Sequence, residues 1–262
     1  MSVYQHFAKH YQSGPYTQFT RWVIEEIFPH WLNLLEFGPK TLLDLACGGG
    51  EFAIAQAKAG RDVTGLDQST QLLSIAKAEA EASKATVEWI QGDMADFSLG
   101  KVFDCVTSWF DSLNYLLEVD KLAACFKNVA AHLNPGGYFL FDMNTIYGIC
   151  VQWQRFPYYV QQETPDYYEV AENSCDYENN IATMRLVMFE REGRNWKRYE
   201  ESHRERGYAI DDILLLLNAA GLEVLHITGK PRQMSPLGSQ DGRVWIAAQK
   251  PAQTNCKQDG LE

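Results

Sequence analysis

Residues 41 to 50 read Thr-Leu-Leu-Asp-Leu-Ala-Cys-Gly-Gly-Gly, an apolar run that carries one carboxylate and ends in three glycines. A strand that feeds such a turn and then the helix-forming run Glu51 to Ala59 is the start of a nucleotide-binding βαβ unit. Without β-carbons the turn lets a ligand approach the main chain closely, and the following helix presents its N-terminus at the same point. Gly48-x-Gly50-x-x-Ala53 also fits the dinucleotide fingerprint, so the glycines alone leave NAD open as the ligand. Asp44 narrows the choice, because a carboxylate at the strand tip repels a pyrophosphate and attracts an ammonium or sulfonium.

The rest of the chain repeats this alternation. Short apolar runs at 41–46, 62–67, 86–91, 102–109 and 137–143 are separated by helical stretches at Glu51–Ala59, Thr70–Ser83 and Val119–His132. Ser69 is placed to cap the second helix and Gly60 to end the first. A helix over Ile210 to Ala220, stopped by Gly221, precedes two further strands at 222–228 and 243–249. Before the sheet, Tyr4 to Phe28 reads as one or two amphipathic helices broken at Ser13-Gly14-Pro15.

The span 144–208 fits no part of this pattern. Its alternations at Ile181–Arg191 and Asn195–Arg206, joined through Glu192-Gly193-Arg194, predict a β-hairpin with flanking strands. The expected fold class is therefore α/β, a doubly wound, mostly parallel seven-stranded Rossmann-like sheet with an antiparallel β insertion after the fifth strand. Four regions follow: an N-terminal helical segment over 1–37, a core of 38–143 plus 209–250, the insertion 144–208, and a polar, disordered tail 251–262.

Five stretches in order carry a family resemblance. Leu42 to Gly50 resembles the first motif of class I S-adenosylmethionine-dependent methyltransferases, with Gly49 where those enzymes often hold Thr or Ser. Val63-Thr64-Gly65-Leu66-Asp67, Gln91-Gly92-Asp93-Met94, Phe103 to Trp109 and Leu133 to Asp142 are similar to the later motifs. The resemblance implies S-adenosyl-L-methionine as cofactor, with Asp44 facing its methionyl ammonium and Ala46, Cys47, Gly48 and Gly50 along its methionyl end. It further implies Asp67, beside Gln68, on the ribose hydroxyls and Asp93 and Met94 at the adenine; Trp109 and Phe110, in the loop at the carboxyl end of the fourth strand, can wall the methyl-transfer cavity, though aromatic packing suits them as well.

Small-molecule members, such as glycine N-methyltransferases and aminosugar N,N-dimethyltransferases, carry an extra antiparallel sheet where 144–208 lies here. The resemblance makes that insertion an acceptor lid; an oligomer contact in a homodimer fits it equally. In the same relatives an N-terminal helix closes over the methionyl end, at positions that resemble Phe7 and Tyr11, although an aromatic stripe also suits a core.

The implied reaction is transfer of a methyl group to N or O of a small-molecule acceptor by in-line displacement, which asks mainly for placement. Asp111, Ser112 or Asn114, in the loop after the fourth strand, can orient an acceptor, and Asp111 is taken as a candidate catalytic residue; a helix cap there is the plainer reading. Tyr199, Glu201 and His203 alternate onto one strand face. His203 beside a carboxylate can act as a base, and an exposed strand with cross-strand ion pairs fits the same residues. Two other readings stay open: a non-catalytic S-adenosylmethionine-binding module and an NAD-dependent oxidoreductase.

Composition excludes some partners. The 262 residues are 46% hydrophobic, enough for one α/β domain, and the net charge of -11 argues against a nucleic-acid footprint. Arg185 to Arg206 is basic only in isolation, because Glu190, Glu192, Glu200, Glu201 and Glu205 interleave with it. His and carboxylates show no metal-motif spacing, so no metal is expected. Cys47, Cys105, Cys125, Cys150, Cys175 and Cys256 form no C-x-x-C pair and point to a reducing compartment, the cytoplasm. No apolar run has the length of a membrane span.

Overall fold

Period-two burial organises the sheet. In the computed structural model, which describes Tyr4 and residues 7–11 and 16–252, Leu43 and Leu45 face one layer of helices while Leu42 faces the other. Phe139, Phe141 and Met143 likewise oppose Leu140, and Val244, Ile246 and Ala248 oppose Trp245 and Ala247. Strands buried on both faces read as continuous apolar runs, which is why 42–45 and 244–248 are so uniformly hydrophobic. Each fully buried Leu or Phe contributes roughly 1.5–3 kcal/mol.

The elements follow the expected order. Helices α1 (Ala8–Tyr11), α2 (Tyr16–Trp22) and α3 (Phe28–Leu34) precede the sheet, the last two joined by a wider helical turn at Val23–Ile27. The helical segment thus runs past Phe28, because Val23, Ile27, Phe28 and Trp31 all bury against the sheet. The break expected at residues 13–15 lies outside the described residues, as does the tail from residue 253.

Next come β1 (Thr41–Leu45), α4 (Glu51–Lys58), β2 (Asp62–Asp67), α5 (Thr70–Ser83), β3 (Glu88–Gln91), β4 (Phe103–Ser108), α6 (Val119–His132) and β5 (Leu133–Asn144). Ser69 caps α5 as expected, its hydroxyl accepting the Leu72 N–H at 3.2 Å. The insertion holds β6 (Tyr158–Thr164), β7 (Tyr167–Asp176), β8 (Ile181–Glu192) and β9 (Asn195–Arg206), and the chain returns through α7 (Ile210–Ala219), β10 (Glu223–Thr228) and β11 (Arg243–Gln249).

The main sheet has the order β10-β11-β5-β4-β1-β2-β3, with β11 antiparallel to both neighbours. The insertion is a separate antiparallel sheet, β6-β7-β8-β9. One face of it is buried by Tyr4 and Phe7 against Tyr167, Ala171, Leu186 and Met188. The other faces solvent and carries ion pairs from Arg185 to Glu172 and Glu200. No helix among the described residues is long and apolar enough to cross a membrane.

Candidate functional site

The parallel strands end at one edge, and the chain order reverses at β1, which lies between β2 and β4. Ligands in such sheets bind at this reversal, beyond the carboxyl ends of the strands. A cavity of about 360 Å³ lies there. Asp44, Asp67 and Asp93 line it from the tips of β1, β2 and β3, together with Ala46, Cys47, Gly48, Gly50, Gln68, Met94 and Trp109. The structure thus brings ten of the eleven residues expected at a cofactor to one cavity. The eleventh, Tyr11, closes α1, and its side chain lies outside the described residues.

Asp44 is buried and accepts the Thr107 hydroxyl at 3.0 Å from the neighbouring strand β4. Burial pushes its carboxyl up to about 7, the Thr107 hydrogen bond pulls against this, and the charge of Asp67 adds to the rise. Asp67, also buried, accepts the Gly48 N–H with one oxygen and the Ser69 N–H with the other, both at 2.8 Å. Burial raises it too, opposed by these backbone donors. Two buried acids with no ion-pair partner among the described residues favour a positively charged or hydroxyl-rich ligand. Asp93 is exposed and accepts the Ala95 N–H at 2.8 Å, so it forms a turn and lines the cavity at once.

The glycine turn is shaped by more than the cavity. Ala46, Gly48 and Gly50 all have positive φ, at 59°, 54° and 80°. A β-carbon on Gly50 would strike the Trp89 ring and lie 2.8 Å from Ala76 Cβ; one on Gly65 would meet the same ring at 2.6 Å. Trp89 of β3 therefore occupies the space that two missing side chains leave.

The loop after β4 divides. Trp109 and Phe110 line the cavity, and Phe110 stacks on Phe19 of α2 with ring centroids 4.7 Å apart. Ser112 also lines it, donating to the Trp109 carbonyl at 2.8 Å. Asp111 and Asn114 do not reach the cavity. Asn114 is fully buried and straps the loop to its neighbours, donating to the Asn144 and Arg206 carbonyls and accepting the Asn144 N–H.

Asp111, expected as a catalytic residue, instead faces a buried charge network. Its carboxylate pairs with Arg243 at 2.9 Å and accepts the Asn144 side-chain amide at 2.8 Å; that amide also donates to Glu205 at 2.9 Å. Asp142, at the tip of β5, pairs with the same guanidinium and accepts the N–H groups of Phe110 and Asp111. Burial pushes Asp142 up to about 6, with Arg243 pulling it down and Asp111 adding to the rise. Burial also drives Glu205 well above the ordinary carboxylate range, with Asp111 adding to the rise. A loop that needs its N–H groups and left-handed turn held from β5 cannot also aim Asp111 outward: Phe110 and Asp111 have φ of 59° and 52°.

On β9 the alternation places Tyr199, Glu201 and His203 on one face, as expected, and Glu205 continues it; Glu201, His203 and Glu205 are buried rather than exposed. That face lies against Tyr4, Phe7 and Tyr115, and no residue of the insertion lines the cavity. His203 meets the cavity lining through Tyr115, whose hydroxyl lies 2.9 Å from its Nδ1, and through the Tyr4 ring packed edge-on against it. Burial lowers the imidazole to about 4, against the opposing charge of Glu201.

Tyr4, Thr17, Thr20 and Tyr115 line the cavity without having been singled out. Thr107, Asp142 and Arg243 support it in the same way. Asp142 had a usable signal, since it is an acid at a strand tip like Asp44 and Asp67. The others come from helix and strand positions that a linear pattern assigns to packing. Among the described residues no cluster of three His, Cys, Asp or Glu side chains could hold a metal.

Comparison with known proteins agrees with this geometry. A family model described as a methyltransferase domain matches residues 42–137. A protein of Geobacillus sp. (strain WCH70), provisionally named a methyltransferase, is 35% identical over 219 residues, 81% of this chain and 85% of that one. The dTDP-3-amino-3,6-dideoxy-alpha-D-glucopyranose N,N-dimethyltransferase of Streptomyces fradiae is 30% identical over 206 residues, 73% of each chain. Among solved structures, an S-adenosylmethionine-dependent methyltransferase from Clostridium acetobutylicum ATCC 824 shares the fold, with a TM-score of 0.81 at 23% identity over 96% of this chain and all of that one.

Proposed function

The chain belongs to the class I S-adenosylmethionine-dependent methyltransferases, and from that premise we propose that its cavity seats the methyl donor against a small-molecule amine or hydroxyl acceptor. The observation that carries the reading is the set of three acids, Asp44, Asp67 and Asp93, at the tips of adjacent strands around one cavity.

In this reading Asp44 faces the methionyl ammonium, and Ala46, Cys47, Gly48 and Gly50 follow the methionyl end with main-chain groups. Asp67 accepts the ribose hydroxyls with the lone pairs that Gly48 and Ser69 leave over, beside Gln68. Asp93 and Met94 border the adenine. Trp109 and Phe110 wall the place of transfer, where an apolar surround excludes water from the reacting centre. The donor supplies an electrophilic methyl on sulfonium, so the residues here chiefly bind and align. Tyr4 and the threonines Thr17 and Thr20 of α2 line the cavity from the N-terminal segment, which supports the reading that this segment closes over the cofactor.

The Streptomyces fradiae relative is named for dimethylating an amino sugar, and only that class, a small molecule bearing a nucleophilic nitrogen or oxygen, is carried to this chain. The five free cysteines among the described residues support the cytoplasm as its compartment.

Titration calorimetry with S-adenosylmethionine and its demethylated product, followed by turnover on amines, nucleotide-linked amino sugars and phenols, tests the reading. Binding of both forms with methylation of at least one panel member is expected. Binding without any transfer across the panel would turn the assignment toward a non-catalytic sensor of the cofactor.

A further inference from the structure

Four side chains connect the insertion to the cavity in a line. Glu201 Oε2 lies 3.8 Å from His203 Nε2, His203 Nδ1 lies 2.9 Å from the Tyr115 hydroxyl, and that hydroxyl lies 3.2 Å from the Tyr4 hydroxyl. Tyr115 and Tyr4 line the cavity; His203 and Glu201 are buried behind them. Building on the methyltransferase reading, we propose that Tyr4, Tyr115, His203 and Glu201 form a proton relay that carries the acceptor's proton out of the methyl-transfer site.

The chemistry of each link supports this. A phenol hydroxyl both donates and accepts, so two in series can pass a proton by exchanging their bonds. A neutral imidazole accepts at one nitrogen only while the other holds its proton, and the buried Nε2 of His203 has no hydrogen-bond partner among the described residues but faces Glu201. That arrangement suits the tautomer with the proton on Nε2 and a bare Nδ1 toward Tyr115. Burial keeps the imidazole neutral at neutral pH, with its value lowered to about 4, so its accepting nitrogen is available. Burial likewise raises both phenols, which stay protonated and pass protons rather than resting as phenolates.

The groups facing His203 are few. Tyr4 and Phe7 present their rings from the N-terminal segment, with centroids 5.0 and 5.5 Å away. Tyr115 comes from the loop after β4, Met184 is its partner on β8, and Glu201 and Glu205 flank it on β9. Asp111 and Glu205 are the further charges felt at Tyr115. The carboxylate of Glu201 is also what holds the N-terminal segment down, accepting the N–H of Tyr4 at 2.9 Å and of Phe7 at 3.0 Å. The relay is therefore complete only when that segment sits on the insertion.

The step balances without another reactant. As the acceptor's nitrogen or oxygen forms its bond to the methyl carbon, the carbon–sulfur bond breaks and its electron pair stays on sulfur. The acceptor's proton moves to the Tyr4 oxygen, the Tyr4 proton to Tyr115, and the Tyr115 proton to His203 Nδ1. The imidazolium so formed faces Glu201 and loses its proton to solvent when the segment lifts.

Two measurements test the relay. With the full chain bound to S-adenosylhomocysteine, nitrogen-15 NMR of the histidines should show His203 protonated on Nε2 and bare on Nδ1 through the neutral range. Tyr115→Phe should shift the Nδ1 resonance. A proton on Nδ1 overturns the relay, whether or not an acceptor is known. On the fastest panel acceptor, Tyr115→Phe and His203→Gln should each lower kcat by roughly a hundredfold, with the wild-type profile flat near neutrality. In His203→Gln kcat should rise with pH, because only acceptor already deprotonated reacts. Since His203 does not line the cavity, its Gln variant should keep the affinity for S-adenosylhomocysteine, which serves as the folding control. A wild-type kcat with a flat profile in His203→Gln sinks the relay and leaves the methyltransferase reading standing. Absence of turnover by the wild type itself strikes that reading instead, and the histidine tautomer then decides the relay.

Discussion

The Asp67 carboxylate accepts the Gly48 N–H at 2.8 Å, which makes the tip of β2 and the glycine turn after β1 a single unit. The same carboxylate holds the Ser69 N–H at the start of α5. Asp67→Ala should therefore lower S-adenosylmethionine affinity by about 2 kcal/mol, roughly thirtyfold, and also lower the melting temperature of the free protein. Calorimetry and thermal denaturation separate the two effects. Unchanged affinity would remove the ribose assignment.

Asp44 makes the cofactor-free protein sensitive to pH in a defined direction. Its folded-state value of about 7 exceeds the ordinary 3.8, so between these pH values the folded chain holds a proton that the unfolded chain has lost. Its contribution to stability is greatest below 3.8, declines as pH rises toward about 7, and is level above that. Binding of a cationic ligand reverses the preference, so affinity for S-adenosylmethionine should increase as pH rises through the same range. Melting temperatures across pH, with and without cofactor, check this against Asp44→Asn. An identical decline in that variant would assign the effect to the other acids that burial raises, Asp67, Asp142 and Glu205.

Arg243 is the counter-charge for Asp111 and Asp142 beneath the loop that carries Trp109 and Phe110. Arg243→Met should cost about 3–5 kcal/mol in urea denaturation at neutral pH, because it strands two buried carboxylates. The loss should shrink as pH falls below about 6, where the raised Asp142 carboxyl takes up a proton. A loss that does not change with pH would mean that Arg243 acts through its packing over Phe19, 4.7 Å from the ring centroid.

Gly50 and Trp89 test the account of the glycine turn. Gly50→Ala combines a φ of 80° with a clash against the Trp89 ring and should destabilise the fold by about 1–3 kcal/mol or more. Adding Trp89→Leu should recover part of that loss, so the double variant is more stable than the sum of the singles implies. Strict additivity would limit the cost at Gly50 to its backbone conformation.

Cys150 and Cys175 hold their sulfurs 2.7 Å apart, and a disulfide of about 2.05 Å needs only a small further approach. Exposure to glutathione disulfide should join them, the two thiols being oxidised as one glutathione disulfide is reduced to two molecules of glutathione, and the linked peptide should appear by mass spectrometry. The reaction should be slow, since burial pushes the Cys175 thiol up to about 12. Persistence of both free thiols after prolonged exposure would contradict this.

Much of the molecule was legible before its coordinates. Nearly every strand of the main sheet lies where apolar alternation put it, because strands buried on two faces leave an unbroken hydrophobic run and the glycines punctuate it. β5 was the exception: it starts at Leu133, ahead of Gly136-Gly137, because Leu133 pairs with Phe103 before a register shift. The row of acids around the cavity was legible for the same reason. Asp44 and Asp67 lie at the ends of their strands and Asp93 just after one, and parallel strands in one sheet end at one edge.

The acceptor side was not. Asp111 was the right kind of residue in the right loop, yet its direction depends on Asp142 and Arg243, from strands far along the chain. His203 lay on the face that alternation assigned, but only the docking of Tyr4 and Phe7 decided that this face is buried and the imidazole neutral.

By itself the sequence determined the sheet, the glycine turn and the row of acids, since these depend on local periodicity and on residues spaced within one supersecondary unit. Only the tertiary structure decided which polar side chains reach the cavity and which are consumed in holding it. Asp111 turns toward Arg243, Tyr4 meets Tyr115 across a separation of 111 residues, and Tyr115 meets His203 across 88. Contacts at that range leave no periodic trace in a chain, because their energy comes from burial and charge pairing formed only when the sheet, the insertion and the N-terminal segment have come together.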